Sequence, residues 1–242
     1  MLKPLLLSIL LLPGALGSAK LSQPLAAALK QQFPHTRMLV YEQTSPLGEM
    51  PLSAYVDQVK LQLKNEHQVL LVGHSLGGYI AGQLLNEAQV AGAVLLAPTP
   101  AHNLQAGPSF EQLRLYLPYL PRFSYAYMTK QTLSYPPSLA RRSMFASFSE
   151  TDANAYIHQM QPDSGRALGE LFFSKKTLAP PTQKPVLCMF GALDPNTNEQ
   201  GRAKIAEFYH APIKVYAGDH FFFLGNEGAV VRDILNWMDK IR

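Results

Sequence analysis

The sequence contains one cysteine, Cys188, among 242 residues. A single thiol excludes an intramolecular disulfide and any multi-cysteine zinc or iron–sulfur site. Charge is also sparse: 16% of residues are charged, 21 basic against 17 acidic, for a net charge of +4. With no Lys/Arg stripe, that balance does not point to nucleic acid as a partner, although it favours acidic partners. There is no three-residue glycine period, no heptad, no solenoid repeat and no low-complexity run, which excludes collagen, coiled coils and repeat arrays. No apolar run approaches the ~20 residues a membrane span needs; the longest, Leu5–Leu12, has eight. What remains is a chain that is 47% hydrophobic. It is long enough for one large domain, or one domain with an insertion, and can bury roughly three-quarters of its unfolded surface.

The first nineteen residues, MLKPLLLSILLLPGALGSA, fit two readings. An early Lys3, an apolar run and the small residues Gly17 and Ala19 outline a secretory signal peptide. The same residues read as a buried parallel strand over Leu5–Leu12, followed by a glycine turn and a helix.

Further along, short apolar runs alternate with helical stretches. Helical spacing over Leu21–Gln32 is followed by a strand-like Met38–Tyr41, a helix over Leu52–Lys64, a strand over Val69–Val72, a helix over Gly77–Glu87 and a strand over Ala93–Leu96. Such alternation builds a parallel sheet with helices on both faces. It stops between Ala101 and Pro181, where no strand-like run occurs. Helix-like pieces such as Glu111–Leu117 and Asp152–Met160 lie there among Pro118, Pro121, Pro136, Pro137 and Pro162. It resumes with a strand over Val186–Phe190, a helix over Glu199–Tyr209, a strand over Ile213–Tyr216 and a closing helix over Gly228–Ile241. The economical organisation is one α/β core, residues 1–100 and 182–242, interrupted by a helical cap over 101–181.

Within Val69-Leu-Leu-Val-Gly73-His74-Ser75-Leu76-Gly77-Gly78 lies a Gly-x-Ser-x-Gly pattern. The bare pattern is weak; its context is not. An apolar strand runs directly into it and a helix-forming stretch, Tyr79–Leu85, leaves it, which is the strand–turn–helix setting of a nucleophile elbow. Small residues at Gly73 and Gly77 are needed there because side chains would collide with the neighbouring strand and helix. A serine hydroxyl is a poor nucleophile near neutral pH, so it needs a base, and the base needs an orienting acid. In this architecture the chain order is nucleophile, acid, base. Asp194 follows the strand Val186–Phe190, and His220 follows Ile213–Tyr216. Both fall at the carboxyl ends of strands, where sites of open α/β sheets lie.

On these features the chain resembles the α/β-hydrolase superfamily, over residues 5–100 and 182–242. The stretch Pro13-Gly14-Ala15-Leu16-Gly17-Ser18 is similar to the superfamily's oxyanion turn, His-Gly-x-x-Gly-Ser, with Pro13 in place of the usual His. The superfamily's usual two strands ahead of this turn's strand are absent, so the expected sheet has six parallel strands. No other glycine-rich turn follows a strand before Ser75, and cleavage after Ala19 would delete both the first strand and half of the oxyanion hole. Residues 1–19 are therefore read as mature protein and the enzyme as cytoplasmic, with secretion as the alternative.

The resemblance implies a mechanism. Ser75 attacks a carbonyl carbon, His220 moves the proton, Asp194 orients the imidazole, and the backbone N–H groups of Ala15 and Leu76 bind the oxyanion; no metal or organic cofactor is required. Asp219 neighbours His220 but adjacent side chains point apart, making it the poorer orienter. His74 is expected to pack or line the mouth, His158 to sit on the cap surface, Cys188 to be a small buried hydrophobe, and Asp152 and Asp163 to be solvated. The cap is rich in aromatics, among them Phe110, Tyr116, Phe123, Phe145 and Phe148, and Phe221-Phe222-Phe223 adds apolar residues after the base. An apolar lid suits an acyl chain. Arg114, Arg122, Lys130, Arg141, Arg142 and Arg166 make the cap basic, as a coenzyme A or acyl-carrier thioester would require. Pro162-Asp163-Ser164-Gly165-Arg166-Ala167 is similar to a cap segment of bacterial-type α/β-hydrolases; His220-Phe221-Phe222 and the Pro13-Gly14 turn are similar to type II thioesterases. The expected function is hydrolysis of a carboxylic ester of a small or medium apolar acid. An acyl thioesterase served by an acyl carrier is the first alternative. A non-catalytic binding protein and a carbon–carbon bond lyase or hydrolase are the others, because the fold hosts them all.

Overall fold

The computed structural model describes residues 7–173, 175, 177–179 and 183–240. Its frame is a six-stranded sheet in the order β2-β1-β3-β4-β7-β8. The strands are β1 (Ser8–Leu12), β2 (Thr36–Met38), β3 (Val69–His74), β4 (Val90–Leu96), β7 (Val186–Gly191) and β8 (Ile213–Tyr216). Every pairing is parallel. Strands covered on both faces read as continuous apolar runs, and β3 and β7 are buried at every position.

Alternate residues of each strand feed two cores. Leu10, Leu12, Val69, Leu71 and Cys188 point into a layer closed by α2 (Leu52–Leu63), α3 (Leu76–Leu84) and α9 (Glu199–Tyr209). Ile9, Leu11, Leu70, Val72 and Met189 point into the opposite layer, closed by α1 (Ser18–Gln32) and α10 (Glu227–Lys240). Helices on both faces of a parallel sheet are the doubly wound architecture that the alternation of runs implies.

Between β4 and β7 the chain forms α4 (Phe110–Tyr116), α5 (Leu120–Thr129), α6 (Pro137–Ser143), α7 (Glu150–Ile157) and α8 (Gly165–Phe173). Contrary to expectation this segment is not free of strands. β5 (Thr132–Leu133) pairs antiparallel with β6 (Asp163–Ser164). Two residues per strand are too few for a period-two pattern, so the sequence carries no signal of it. β2 ends at Met38 rather than Tyr41; Leu39 still donates to Leu11 O at 2.9 Å before the chain leaves the sheet. Leu5 and Leu6 at the start of the expected first strand, the expected junction at 181–182, and Ile241 lie outside the described residues. Among the described residues, no helix is long and apolar enough to cross a membrane.

The strand order positions the site. From β1 the chain winds to β2 on one side, then returns to β3 on the other. The loops leaving β1 and β3 diverge and open a crevice between them at the carboxyl ends, the place where sheets of this kind hold ligands.

Candidate active site

Ser75 sits in this crevice, immediately after β3 and at the N-cap of α3. Its φ of 52° and ψ of −115° are a sparsely populated conformation that costs a non-glycine residue on the order of 1–3 kcal/mol. Hydrogen bonds over-determine it: Ser75 N donates to Leu96 O at 3.0 Å, and Ser75 O accepts from Tyr79 N and Thr99 N, each at 3.1 Å. The turn is possible only because Gly73 and Gly77 lack Cβ atoms, which would overlap the Gly77 carbonyl and the Leu12 carbonyl respectively. The Ser75 hydroxyl lies 3.4 Å from Thr99 Oγ1. It faces a pocket of about 370 Å³ lined by Thr99, Leu113, Phe123, Met144, Phe172 and His220, among others. Residues of the strand-end loops and of the segment between β4 and β7 thus share its walls, and the walls are mainly apolar.

His220 follows β8 and is buried. Its Nδ1 lies 3.0 Å from Asp194 Oδ2, with 5% of the imidazole and 0% of the carboxylate exposed. A carboxylate oxygen accepts, so Nδ1 carries the proton of this bond, the tautomer that leaves Nε2 as the basic nitrogen of a neutral imidazole. The second oxygen of Asp194 accepts from Asn196 N at 2.9 Å and from Asn196 Nδ2 at 2.8 Å. Asn196 also binds the cap: its Oδ1 accepts from Tyr116 OH, its Nδ2 donates to Ser143 O at 3.0 Å, and its carbonyl accepts from Gln112 Nε2 at 3.2 Å. Sequence reasoning missed Asn196. The available signal was its position two residues after an Asp, where an Asx-type turn folds back on the carboxylate.

Ala15 and Leu76 flank Ser75 in a smaller cavity that also includes Gly14, Leu16, His74 and His220. The structure therefore brings Ser75, Asp194, His220, Ala15 and Leu76 to one end of the sheet. Asp219 points elsewhere. Its carboxylate accepts from Ser147 N at 2.8 Å, Ser147 Oγ at 2.9 Å and Phe221 N at 3.2 Å. Burial pushes this carboxyl above its usual range, and those donors pull the other way. Asp152 and His158 are exposed, and Cys188 is fully buried, its thiol pushed up to about 12 by desolvation. Phe222 and Phe223 lie in the core against α10 rather than in the pocket; Phe221 alone reaches the smaller cavity.

Asp163 corrects the expectation of a solvated residue. It is 9% exposed, and its carboxylate accepts from Leu16 N at 2.8 Å, Ser164 N at 2.7 Å and Tyr55 OH. Of the basic cap residues, Arg141 is spent on the carbonyls of Phe145 and Phe148, and Arg166 on Glu170 at 3.0 Å. Arg114, Arg122, Lys130 and Arg142 remain exposed. Among the described residues, no three His, Cys, Asp or Glu side chains converge as a metal site requires.

His74 lies behind the site, 1% exposed. Its Nε2 is 3.1 Å from the His220 carbonyl, which only accepts, so Nε2 donates, while the buried Nδ1 has no partner that could receive a second proton. Its ring centroid is 4.6 Å from that of Phe221. Burial first, and then the neighbouring His220, hold its pKa well below the ordinary value. An unfolded chain takes up this proton near pH 6.5, whereas the native one resists it, so the unfolded state binds more protons below that pH. Stability is thus fully present above about pH 6.5 and is lost on acidification, by up to ~1.4 kcal/mol per pH unit. Urea denaturation between pH 7 and 5 is expected to show a midpoint that falls with pH. In His74→Gln, whose amide keeps the bond to His220 O, that dependence is expected to be shallower. Equal slopes in the two proteins would refute a neutral buried His74.

A family model described as "Alpha/beta hydrolase family" matches residues 9–233. No curated protein sequence shows significant similarity to the chain. Solved structures do, over nearly their whole length. A methylesterase from Arabidopsis is 16% identical, covers 96% of this chain and 99% of its own, and superposes with a TM-score of 0.68. An extracellular alpha/beta-hydrolase from a Paenibacillus species is 15% identical, with 95% and 98% covered and a TM-score of 0.65. The type II thioesterase of the borrelidin biosynthetic cluster is 20% identical, with 97% and 94% covered and a TM-score of 0.61. At such identities the likeness is one of fold.

Proposed function

The chain belongs to the alpha/beta hydrolase family, and from that premise we propose that it is a serine hydrolase cleaving a carboxylic ester of a small or medium apolar acid. One observation carries the reading: a backbone-strained serine at the switch point of the sheet shares a pocket with a histidine already held by a buried aspartate. Ser75 Oγ attacks the ester carbonyl while His220 Nε2 takes its proton. That contact forms in the Michaelis complex, where catalytic hydrogen bonds tighten. The C=O π electrons move to oxygen, and the N–H groups of Leu76 and Ala15 receive the oxyanion, each contributing about 3 kcal/mol to the transition state. Collapse expels the alcohol, which takes the proton from His220, leaving Ser75 acylated. Water, deprotonated by His220, then releases the acid and restores the serine. Asp194 fixes the tautomer and stabilises the imidazolium throughout, and Asn196 satisfies its second oxygen.

The segment 101–181 acts as the cap, its apolar side chains Leu113, Phe123 and Phe172 receiving the acyl group. Residues 8–12 supply β1, hydrogen-bonded on both sides, so loss of the chain up to Ala19 would remove an interior strand of the sheet together with Ala15. A second reading, acyl thioester hydrolysis, is favoured by the exposed Arg114, Arg122, Lys130 and Arg142, which suit an anionic coenzyme A or acyl-carrier arm. The deciding experiment sets p-nitrophenyl esters from C2 to C12 beside matched acyl-coenzyme A thioesters. A preference for esters, with kcat/KM peaking at an intermediate length, supports the esterase reading. A preference for the thioesters selects the second. No turnover on either, from a folded protein, rejects both.

A further inference from the structure

Leu16 is an odd residue for its place. It lies in the loop between β1 and α1, next to the oxyanion donor Ala15, with φ of 61°, and Gly17 follows at 75°. Glycine takes the left-handed region freely; leucine holds it only where its surroundings over-determine it. Here three contacts do so, and all come from the segment between β4 and β7. Leu16 N donates to Asp163 Oδ2 at 2.8 Å, and Leu16 O accepts from Gln161 N at 3.1 Å. The side chain, 3% exposed, packs with Leu115, Phe123, Leu139 and Leu168. A Cβ on Gly17 would stand 2.8 Å from Gln161 N, so the loop and residue 161 touch backbone to backbone.

Asp163 is itself held from the far side. Its Oδ1 accepts from Tyr55 OH, on α2 of the core, and from Ser164 N. Tyr55 is 2% exposed and meets the ring of Tyr41 edge-on at 5.0 Å. Ser164 Oγ lies 2.6 Å from Met50 O and accepts from Ala167 N at 3.1 Å, which pins β6 to the 47–50 turn and to the start of α8. The carboxylate is therefore a fixed post, with one oxygen committed to its anchor and the other to Leu16.

From this arrangement we propose that Asp163 is a positioning residue of the esterase, anchoring the loop backbone at Leu16 so that the adjoining Ala15, and its N–H with it, stays set for the oxyanion. The inference rests on the reading of Ala15 as an oxyanion donor. The physical reason is that the peptide unit shared with Leu16 holds Ala15 from its carboxyl side. With Leu16 N–H given to Asp163, the Ala15 carbonyl in the same plane is turned the opposite way, toward Ser18 N, which donates to it at 3.4 Å. A flip of that plane would change ψ at Ala15 and φ at Leu16; the Ala15 N–H, which lies in the preceding Gly14–Ala15 plane, would shift as the Ala15 Cα, no longer anchored through Leu16, moved. Freed of Asp163, Leu16 would have reason to relax out of the left-handed region, and the flip is the route. The cap thus acts on catalysis through the backbone of the oxyanion loop without touching substrate.

Oxyanion stabilisation exists only in the transition state, so its loss lowers kcat and leaves KM alone. The test uses the full chain, with active sites counted by fluorophosphonate labelling so that each kcat refers to folded enzyme. Asp163→Ala is expected to lower kcat by about 10- to 100-fold, less than the roughly 100- to 1,000-fold for deleting a donor outright. KM should stay within about twofold, and a trifluoromethyl ketone that forms the tetrahedral adduct should weaken by the same factor as kcat/KM. Asp163→Asn keeps a carbonyl acceptor for Leu16 and should recover most of the loss. Tyr55→Phe, which removes only the anchor, should fall between wild type and Asp163→Ala, and it keeps the test alive if Asp163→Ala does not fold. An unchanged kcat per labelled site, or a loss of kcat with ketone affinity intact, overturns the inference while Ser75-dependent turnover in wild type leaves the esterase reading standing. Wild-type protein that neither turns over nor labels overturns both.

Discussion

Ser75→Ala is expected to lower kcat on the best p-nitrophenyl ester by about a million-fold, with the protein's melting temperature unchanged or raised. The size follows from the way a nucleophile and its base act as one unit: losing either costs about as much as losing the whole triad, roughly 10⁶ in kcat. His220→Ala should therefore match Ser75→Ala, and the double variant should be no worse than either. Asp194→Asn leaves the geometry but frees the wrong tautomer, for a loss of about 10⁴. Stability should not fall in Ser75→Ala, since the hydroxyl contributes one 3.4 Å contact to Thr99 and the φ of 52° strains any L-residue alike. Stopped assays with active-site counting and a melting curve on the same preparations decide the matter. Residual turnover well above about one part in a million in Ser75→Ala, the level that oxyanion donors and binding alone sustain, would point to a different nucleophile.

Gly77→Ala is expected to remove the fold rather than the chemistry. The added Cβ would overlap the carbonyl oxygen of Leu12 and stand 2.7 Å from that of Pro13. Leu12 ends β1, which is hydrogen-bonded on each side, and Pro13 follows it directly, so neither carbonyl can step aside. Helix α3 would have to lift away from the sheet and take Leu76, Tyr79 and Ile80 out of the core. A destabilisation above about 4 kcal/mol is expected, against a total stability of roughly 5–15 kcal/mol for a natural domain. Gly228→Ala is the contrast. A Cβ there meets nothing within 4 Å, and the residue lies in the first turn of α10. Alanine should be neutral or stabilise by up to ~1 kcal/mol. Chemical denaturation of the two variants checks both; a Gly77→Ala protein within 1 kcal/mol of wild type would contradict the close approach of α3 to β1.

Much of this was legible in the chain. Val69–Val72 running into Gly73-x-Ser75-x-Gly77 reports itself because strand, turn and helix are all local, and the steric demand of the turn writes small residues at fixed spacing. Asp194 and His220 could be found because a parallel sheet places the end of every strand on one edge, so a residue three or four positions past a strand is already located in space. The cap left weaker marks. Its aromatics signal burial without saying against what, and β5 and β6 are too short to show a period.

The sequence by itself determined the doubly wound core, the six parallel strands and the strand ends on which Ser75, Asp194 and His220 stand, because each depends on periodicities and turns spanning a few residues. Only the tertiary structure decided which acidic groups are buried and what they hold. Asp163 and Asp152 look alike in the chain, each a carboxylate in a polar stretch. One is solvated; the other receives three donors, from a loop 147 residues away, from helix α2 108 residues away and from its own neighbour. Asp219, Asn196 and Asp163 each tie the segment between β4 and β7 to a different loop of the site, through Ser147, Tyr116 and Leu16. Such pairings are set by which surfaces meet when the chain closes, and contacts between residues so far apart leave no local pattern by which either partner could announce the other.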